Sequence, residues 1–217
     1  MKRATKKHLL LAGAGIILII ISYNFIDRPV AFAVHHYLNQ YKTLQIIFYC
    51  LEHIANVIFF TVPILYIYLF IRYTRRLFSI FDKFLFSYCT SIVTVVIIKD
   101  LLKGVFGRYW PETYVNNNLS LIGMNAYGFN FFHIGLAYQS FPSGHTCVIF
   151  AAMTVVWLEY PKLKWLAIIL STCVMIGLIG LDYHFISDVI GGMIVGITTG
   201  RFTVGIIERI EKMPYLP

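Results

Sequence analysis

The stretch SFPSGHTCVIFAAMTVVWL, residues 140–158, joins a loop to a strongly apolar run. Its first part holds a proline, a hydroxyl, a glycine and an imidazole, and its second part carries no charge. This order indicates a helix that begins at the edge of a membrane. Either Ser143, Gly144 and His145 only begin that helix, or they also form part of a reaction centre.

The composition of the whole chain favours a membrane protein. Of its 217 residues, 59% are hydrophobic and 13% are charged, and the mean hydropathy is +0.73. Soluble domains are about half apolar and about a quarter charged. The sequence therefore predicts an all-α integral membrane bundle of six transmembrane helices in one domain, residues 1–217, with apolar segments at 9–26, 54–71, 84–102, 144–159, 164–182 and 185–207.

The first apolar segment has an alternative interpretation as a cleaved signal peptide. A basic stretch precedes it, and the AFA at 31–33 could serve as a cleavage site. Its apolar run is longer than the roughly 7–15 residues of a signal sequence, which favours a retained helix.

The basic residues predict the orientation of the bundle. With the N-terminus inside, most of the 18 Lys and Arg residues fall on the inner side, as the positive-inside rule requires. Both termini are then cytoplasmic. The net charge of +8 is explained by topology, so we expect no nucleic-acid partner.

Three polar clusters fall at helix ends on the predicted outer face. The third helix ends with Lys99, Lys103 and Arg108, the fourth begins with Ser143, Gly144 and His145, and the turn before the sixth carries Asp182, His184 and Asp188. Each cluster alone has a structural alternative: snorkelling cations, a Ser N-cap, an interfacial histidine or a structural His–Asp pair. Their coincidence on one face favours a shared site.

These residue types suit phosphoryl transfer. The free amides at a helix start attract anions, and Gly144 lets an anion approach the backbone. Ser143, Lys103 and Arg108 would add donors and positive charge. Asp188 lies four residues after His184 and can orient it as the nucleophile, which leaves His145 as general acid and then base.

No metal or other cofactor is predicted, because no carboxylate cluster or His/Cys ligand set is present in the sequence. The cysteines are scattered without zinc or disulfide spacing and are interpreted as small core residues: Cys50, Cys89, Cys147 and Cys173.

The motif region, residues 99–192, resembles the type 2 phosphatidic acid phosphatase family, the membrane branch of a superfamily shared with vanadium haloperoxidases. Its pattern is Lys, six residues, Arg-Pro; then Pro-Ser-Gly-His; then Ser-Arg, five residues, His, three residues, Asp. The resemblance implies a nucleophile at His184, an acid at His145 and an orienting carboxylate at Asp188. It also implies six helices with outer catalytic loops, and we expect a bacterial inner membrane with the site facing the periplasm.

Two family arginines are absent. The first would stand at Trp110, next to a matching Pro111, and we expect Arg108 to substitute for it. In the third motif the Ser-Arg positions are Gly177 and Leu178. The groups that move protons and bond to phosphorus are therefore present, while the cationic clamp is thinner than the family pattern.

The function predicted from the sequence is removal of a phosphate from a membrane lipid, such as phosphatidic acid, phosphatidylglycerol phosphate, a polyprenyl diphosphate or lipid A. One alternative is a phosphotransferase in which a second hydroxyl replaces water. Another is a non-catalytic transporter or lipid-binding protein, which would place charges in mid-helix along a path. The clustering of charges at one face favours the enzyme.

Overall fold

The computed structural model describes residues 13–114 and 117–211, and six long helices account for most of them. They are α1 Gly13–Tyr37, α2 Lys42–Thr74, α3 Ile80–Phe106, α4 Gly144–Glu159, α5 Lys164–Gly180 and α6 Ile186–Glu211. Shorter turns are Ser22–Ile26, a π-helical turn inside α1, and Leu121–Met124, Leu136–Tyr138 and Pro161–Leu163. The all-helical prediction is confirmed, although residues 9–12 of the first predicted segment lie outside the described ranges.

Five of these helices are long and apolar enough to cross a membrane, and α4 is shorter. Its 16 residues extend about 24 Å, less than the roughly 30 Å of a hydrocarbon core. Ser143, which precedes it, is fully buried. The N-terminus of α4 therefore lies inside the bundle, where a site can be enclosed.

Helix α1 continues well beyond its predicted end. It passes Pro29, which is tolerated because it stands in the first turn after the π-helical segment. The AFA at 31–33 lies within this helix, with Ala31 buried. The extension also carries Asp27, which is 1% exposed.

Helix α4 occupies the centre of the bundle and contacts α2, α3, α5 and α6. The closest approach is to α6, where Gly192, Gly196 and Gly200 recur every four residues. A Cβ at these positions would lie 2.6–2.8 Å from a backbone oxygen of Ser143 or of α4. Small residues at this spacing let two membrane helices pack backbone to backbone. The start of α4 is thereby fixed beside the start of α6.

Helix α2 packs equally closely on α5. A Cβ on Gly177 would lie 2.6 Å from both the Glu52 nitrogen and the Phe48 oxygen, and one on Gly180 would meet the Phe48 ring. This crossing fixes the height of Glu52 in the bundle.

The outer surface of the bundle is apolar. Large side chains such as Phe60, Ile64 and Phe70 are each 68% exposed. A face of this kind suits hydrocarbon rather than water, and the protein is an integral membrane protein. The four cysteines are unpaired; Cys89 and Cys147 are buried as predicted, whereas Cys50 is exposed on α2.

Candidate active site

A cavity of about 440 Å³ lies between α2, α3, α4 and the loops before α4 and α6. Its lining brings together members of all three predicted polar clusters, namely Lys99, Lys103, Gly144, His145 and His184, with Ala55, Asn56, Phe59, Val96, Trp110, Tyr114, Val148 and Tyr183. The other predicted site residues, Arg108, Ser143 and Asp188, do not line it. Within residues 13–114 and 117–211, no group of three or more His, Cys, Asp and Glu side chains is placed to hold a metal ion.

The cavity is polar towards one end of the bundle and apolar towards the middle. Val96 lies one turn deeper in α3 than Lys99, and Val148 one turn deeper in α4 than His145. On α2, Phe59 is likewise deeper than Asn56. The arrangement matches a molecule with a charged head and an apolar chain.

His184 lies at the wall of the cavity, just before α6. Its Nδ1 is 3.5 Å from Asp188 Oδ2, but the two atoms do not form a hydrogen bond of acceptable geometry. Such contacts commonly tighten only when substrate binds. Burial lowers the pKa of His184, against the opposing effect of Asp188. Burial therefore favours the neutral ring, with Nδ1 turned to Asp188.

Asp188 is held rigidly behind His184. Its Oδ2 accepts hydrogen bonds from the Ser140 hydroxyl at 2.6 Å and from the Phe185 amide at 3.0 Å. Its Oδ1 accepts from Arg108 Nη1. The carboxylate thus contacts His184 from outside the cavity.

Arg108 was expected to bind phosphate, and the structure places it elsewhere. Its side chain is fully buried. Nη2 donates to Asp27 Oδ2 at 2.7 Å, and Nη1 donates to Asp188 and, at 2.6 Å, to Ser187 Oγ. Four aromatic rings surround the guanidinium at 4.4–5.5 Å, namely Tyr23, Tyr127, Phe129 and Phe185.

This arrangement makes Arg108 a structural link. It joins Asp27 of α1 to Asp188 of α6, beneath the loop that follows α3. Burial opposes its charge, but the carboxylates of Asp188 and Asp27 raise the pKa of Arg108 above its usual value. Arg108 therefore holds Asp188, which in turn contacts His184.

Ser143 also has a different place from the one expected. Its Oγ accepts hydrogen bonds from the Thr146 amide and hydroxyl, and its amide donates to the Asp188 carbonyl. It is therefore the N-cap of α4. Gly144 does line the cavity. A Cβ there would lie 3.3 Å from Lys99 Cδ and 3.8 Å from Lys103 Nζ, so glycine lets both lysines approach the helix start.

His145 has partners that sequence reasoning missed. Its Nε2 is 2.7 Å from Glu52 Oε1 and 3.0 Å from Asn56 Oδ1, both on α2. Glu52 is 2% exposed. The signal that could have identified it is an ionisable residue in an apolar helix, which defaults to a functional role. It fell just before the predicted segment 54–71.

Trp110 and Leu178, which stand where the family pattern has arginine, lie in different surroundings. Trp110 lines the cavity, with its ring 5.2 Å from that of His184 and 5.6 Å from Lys103 Nζ. Leu178 is fully buried in the apolar core. Among the described residues, the cations that face the cavity are Lys99 and Lys103.

Asp182 does not face the cavity. Its carboxylate accepts a hydrogen bond from Asn39, and its backbone oxygen accepts one from the Tyr114 hydroxyl. Burial, with a smaller effect of Glu112, raises the pKa of Asp182 to about 8. The backbone of this turn, at Leu181 and Asp182, thus contacts Tyr114, which lines the cavity.

Comparison with known proteins places this geometry in a family. Residues 84–212 match the PAP2 superfamily. The fold is similar to the crystal structure of a transmembrane PAP2-type phosphatidylglycerolphosphate phosphatase from Bacillus subtilis, with a TM-score of 0.55 and 17% identity over 92% of this chain and 97% of that one. No curated protein matches the chain significantly. The matched region covers more than half of the sequence and contains the cavity's histidines and Lys103, and the chain belongs to the PAP2 superfamily.

Proposed function

We propose that this protein is a membrane-embedded lipid phosphatase that works through a phosphohistidine on His184. One observation carries the proposal: Lys103 of α3, Gly144 and His145 at the start of α4, and His184 in the loop before α6 line a single cavity. That cavity has a charged end for a phosphate and an apolar side for a lipid chain.

The phosphate lies at the charged end of the cavity. Lys103 and Lys99 supply positive charge, and the free amides at the start of α4 supply donors. Gly144 keeps this approach open because it has no side chain. Lys99 therefore takes the binding role that the sequence had given to Arg108.

The reaction proceeds in two steps. His184 Nε2 attacks phosphorus, the bond to the leaving oxygen breaks, and His145 gives that oxygen a proton. Water then attacks the phosphohistidine and passes a proton to His145, which releases inorganic phosphate and restores His184. Asp188 holds the His184 ring throughout, and Arg108 holds Asp188.

The proposed location is the outer face of the membrane. The cavity lies at the end where α3 finishes and α4 begins. The connections at the other end are rich in basic residues, including Arg75, Arg76 and Lys162. The positive-inside rule then favours cytoplasmic termini and six crossings. In a bacterium this corresponds to the inner membrane, with the site facing the periplasm.

Phosphate release from a panel of lipids tests this proposal. Purified protein in detergent is incubated with phosphatidic acid, phosphatidylglycerol phosphate, a polyprenyl diphosphate and lipid A. We expect release from at least one, and its loss in His184→Ala and in His145→Ala. His36→Ala, which changes an exposed histidine at the end of α1, is the matched control and should remain active. Unchanged turnover in either cavity variant would refute the mechanism.

A phosphotransferase is the second candidate, and the thin cationic clamp favours it. With Trp110 and Leu178 in place of arginines, two lysines face the bound group. A phosphodiester donor carries less charge than a monoester and would need fewer cations. With a donor lipid labelled on phosphate, label in a second lipid supports transfer, and label in free phosphate supports hydrolysis.

A further inference from the structure

We infer that Glu52 is a positioning residue that acts through His145, an inference that rests on the proposed function. Glu52 lies on α2, outside the region that carries the three motifs. Its Oε1 is 2.7 Å from Nε2 of His145. The cavity thus contains two histidines that each have a carboxylate partner, His184 with Asp188 and His145 with Glu52.

Glu52 is buried, so its carboxylate needs donor groups nearby. The residue is 2% exposed within an apolar helix, where an ionised carboxylate is costly without donors. Besides His145, Asn56 Nδ2 donates to the same oxygen at 3.4 Å. The second oxygen, Oε2, is 2.5 Å from His53 Nδ1 but has no hydrogen bond of acceptable geometry. His145 Nε2 is therefore the nearest donor group to Oε1.

The close packing of α2 on α5 positions Glu52 beside His145. Gly177 stands where the family pattern has serine, and a Cβ there would lie 2.6 Å from the Glu52 nitrogen. The missing side chain lets α2 approach α5. The departure from the family motif at position 177 and the carboxylate beside His145 are thus parts of one packing arrangement.

The contact decides which nitrogen of His145 does chemistry. The hydrogen on Nε2 points to the α2 side chains, where Asn56 Oδ1 accepts it at 3.0 Å and Glu52 Oε1 lies 2.7 Å away. Nδ1 is therefore the nitrogen left for the reaction. In the first step the Nδ1 proton passes to the leaving oxygen as its bond to phosphorus breaks and the bond from His184 forms. In the second step Nδ1 takes a proton from water as the phosphorus–nitrogen bond breaks. A carboxylate that fixes a tautomer in this way is a recurring device.

Comparison of two leaving groups tests this role. The alcohol of a lipid phosphate monoester is a poor leaving group and needs the acid, whereas p-nitrophenyl phosphate releases a stable p-nitrophenolate without it. A positioned general acid contributes about 10²- to 10⁴-fold to the rate. We expect Glu52→Gln to lose part of that factor in kcat/KM for the lipid and far less for p-nitrophenyl phosphate. Glu52→Asp should recover part of the loss and also serves if the glutamine variant does not fold.

Two controls separate positioning from structure. Asp82→Asn removes another buried carboxylate, at the opposite end of α3, and should affect both substrates alike. Glu52→Gln combined with His145→Ala should be no slower than His145→Ala alone, because residues that act through one group are not additive. An equal loss on both substrates, or a further loss in the double variant, would overturn the inference. Failure of the wild type to release phosphate from any substrate would instead refute the proposed function on which it rests.

Discussion

Replacement of Arg108 by methionine separates the two roles that this residue could have. A phosphate-binding arginine would raise KM when removed and leave stability almost unchanged. In the structure its guanidinium instead joins Asp27 and Asp188, and all three side chains are fully buried. Arg108→Met should therefore act first on folding.

The loss of stability in Arg108→Met is estimated from the buried charges that lose their partner. Removal of one partner of a buried ion pair typically costs about 3–5 kcal/mol, because the other charge remains uncompensated. Here two carboxylates lose the same partner, so we expect a loss at the upper end of that range. Lys103→Met is the matched control: Lys103 donates to the Gln139 carbonyl at 2.7 Å, and a single hydrogen bond contributes about 1 kcal/mol.

The assay is the free energy of unfolding in detergent, followed by circular dichroism during SDS titration. Asp27→Asn in the Arg108→Met background should recover part of the loss, because it removes one of the two stranded charges. Lys103→Met should instead remain folded and lose lipid phosphate turnover. The reasoning fails if Arg108→Met unfolds like the wild type and shows only a raised KM.

Three further predictions concern positions where the sequence departs from the family or carries an unexpected charge. Gly177→Ser, which restores the family residue, should destabilise the protein by about 1–3 kcal/mol through overpacking against the backbone of Glu52; stability equal to the wild type would contradict that packing. In the folded protein the Asp182 carboxyl keeps its proton up to about pH 8, whereas in the unfolded chain an Asp releases its proton near pH 4. The contribution of Asp182 to the free energy of unfolding therefore falls as pH rises from about 4 to about 8. Asp182→Asn should therefore gain stability relative to wild type from pH 4 to 8 in thermal unfolding, and a constant difference would argue against a buried, protonated carboxyl. Trp110→Arg adds a cation to the cavity and should lower KM for a monoester by about tenfold. Leu178→Arg, in the core, should only destabilise the protein. A lower KM in Leu178→Arg and not in Trp110→Arg would contradict the placement of these two residues.

The helices and the convergence of the motifs could be predicted because both depend on local pattern. Apolar runs define membrane helices, and basic loops order their ends, so Lys103, His145 and His184 were expected on one face. The predicted ends were least accurate at α1 and α2, which continue into polar residues. Those extensions carry Asp27 and Glu52.

The contacts of Arg108 with Asp27 and Asp188 could not be predicted, because these residues are distant in sequence. Arg108 is 81 residues from Asp27 and 80 from Asp188. Its direction depends on Gly107, whose φ of +51° turns the chain where a Cβ would lie 1.9 Å from the Asn130 oxygen. Residue spacing alone does not predict that turn. Arg108 was therefore expected among the cations that bind phosphate.

Trapping of the covalent intermediate tests the central claim most directly. Protein is mixed with a lipid labelled with ³²P on its phosphate, quenched within milliseconds under alkaline conditions that preserve phosphohistidine, and digested for peptide mapping. The account predicts label on the peptide that contains His184, and none there in His184→Ala. Release of phosphate by the wild type without any labelled His184 peptide, or with label on another residue, would contradict it.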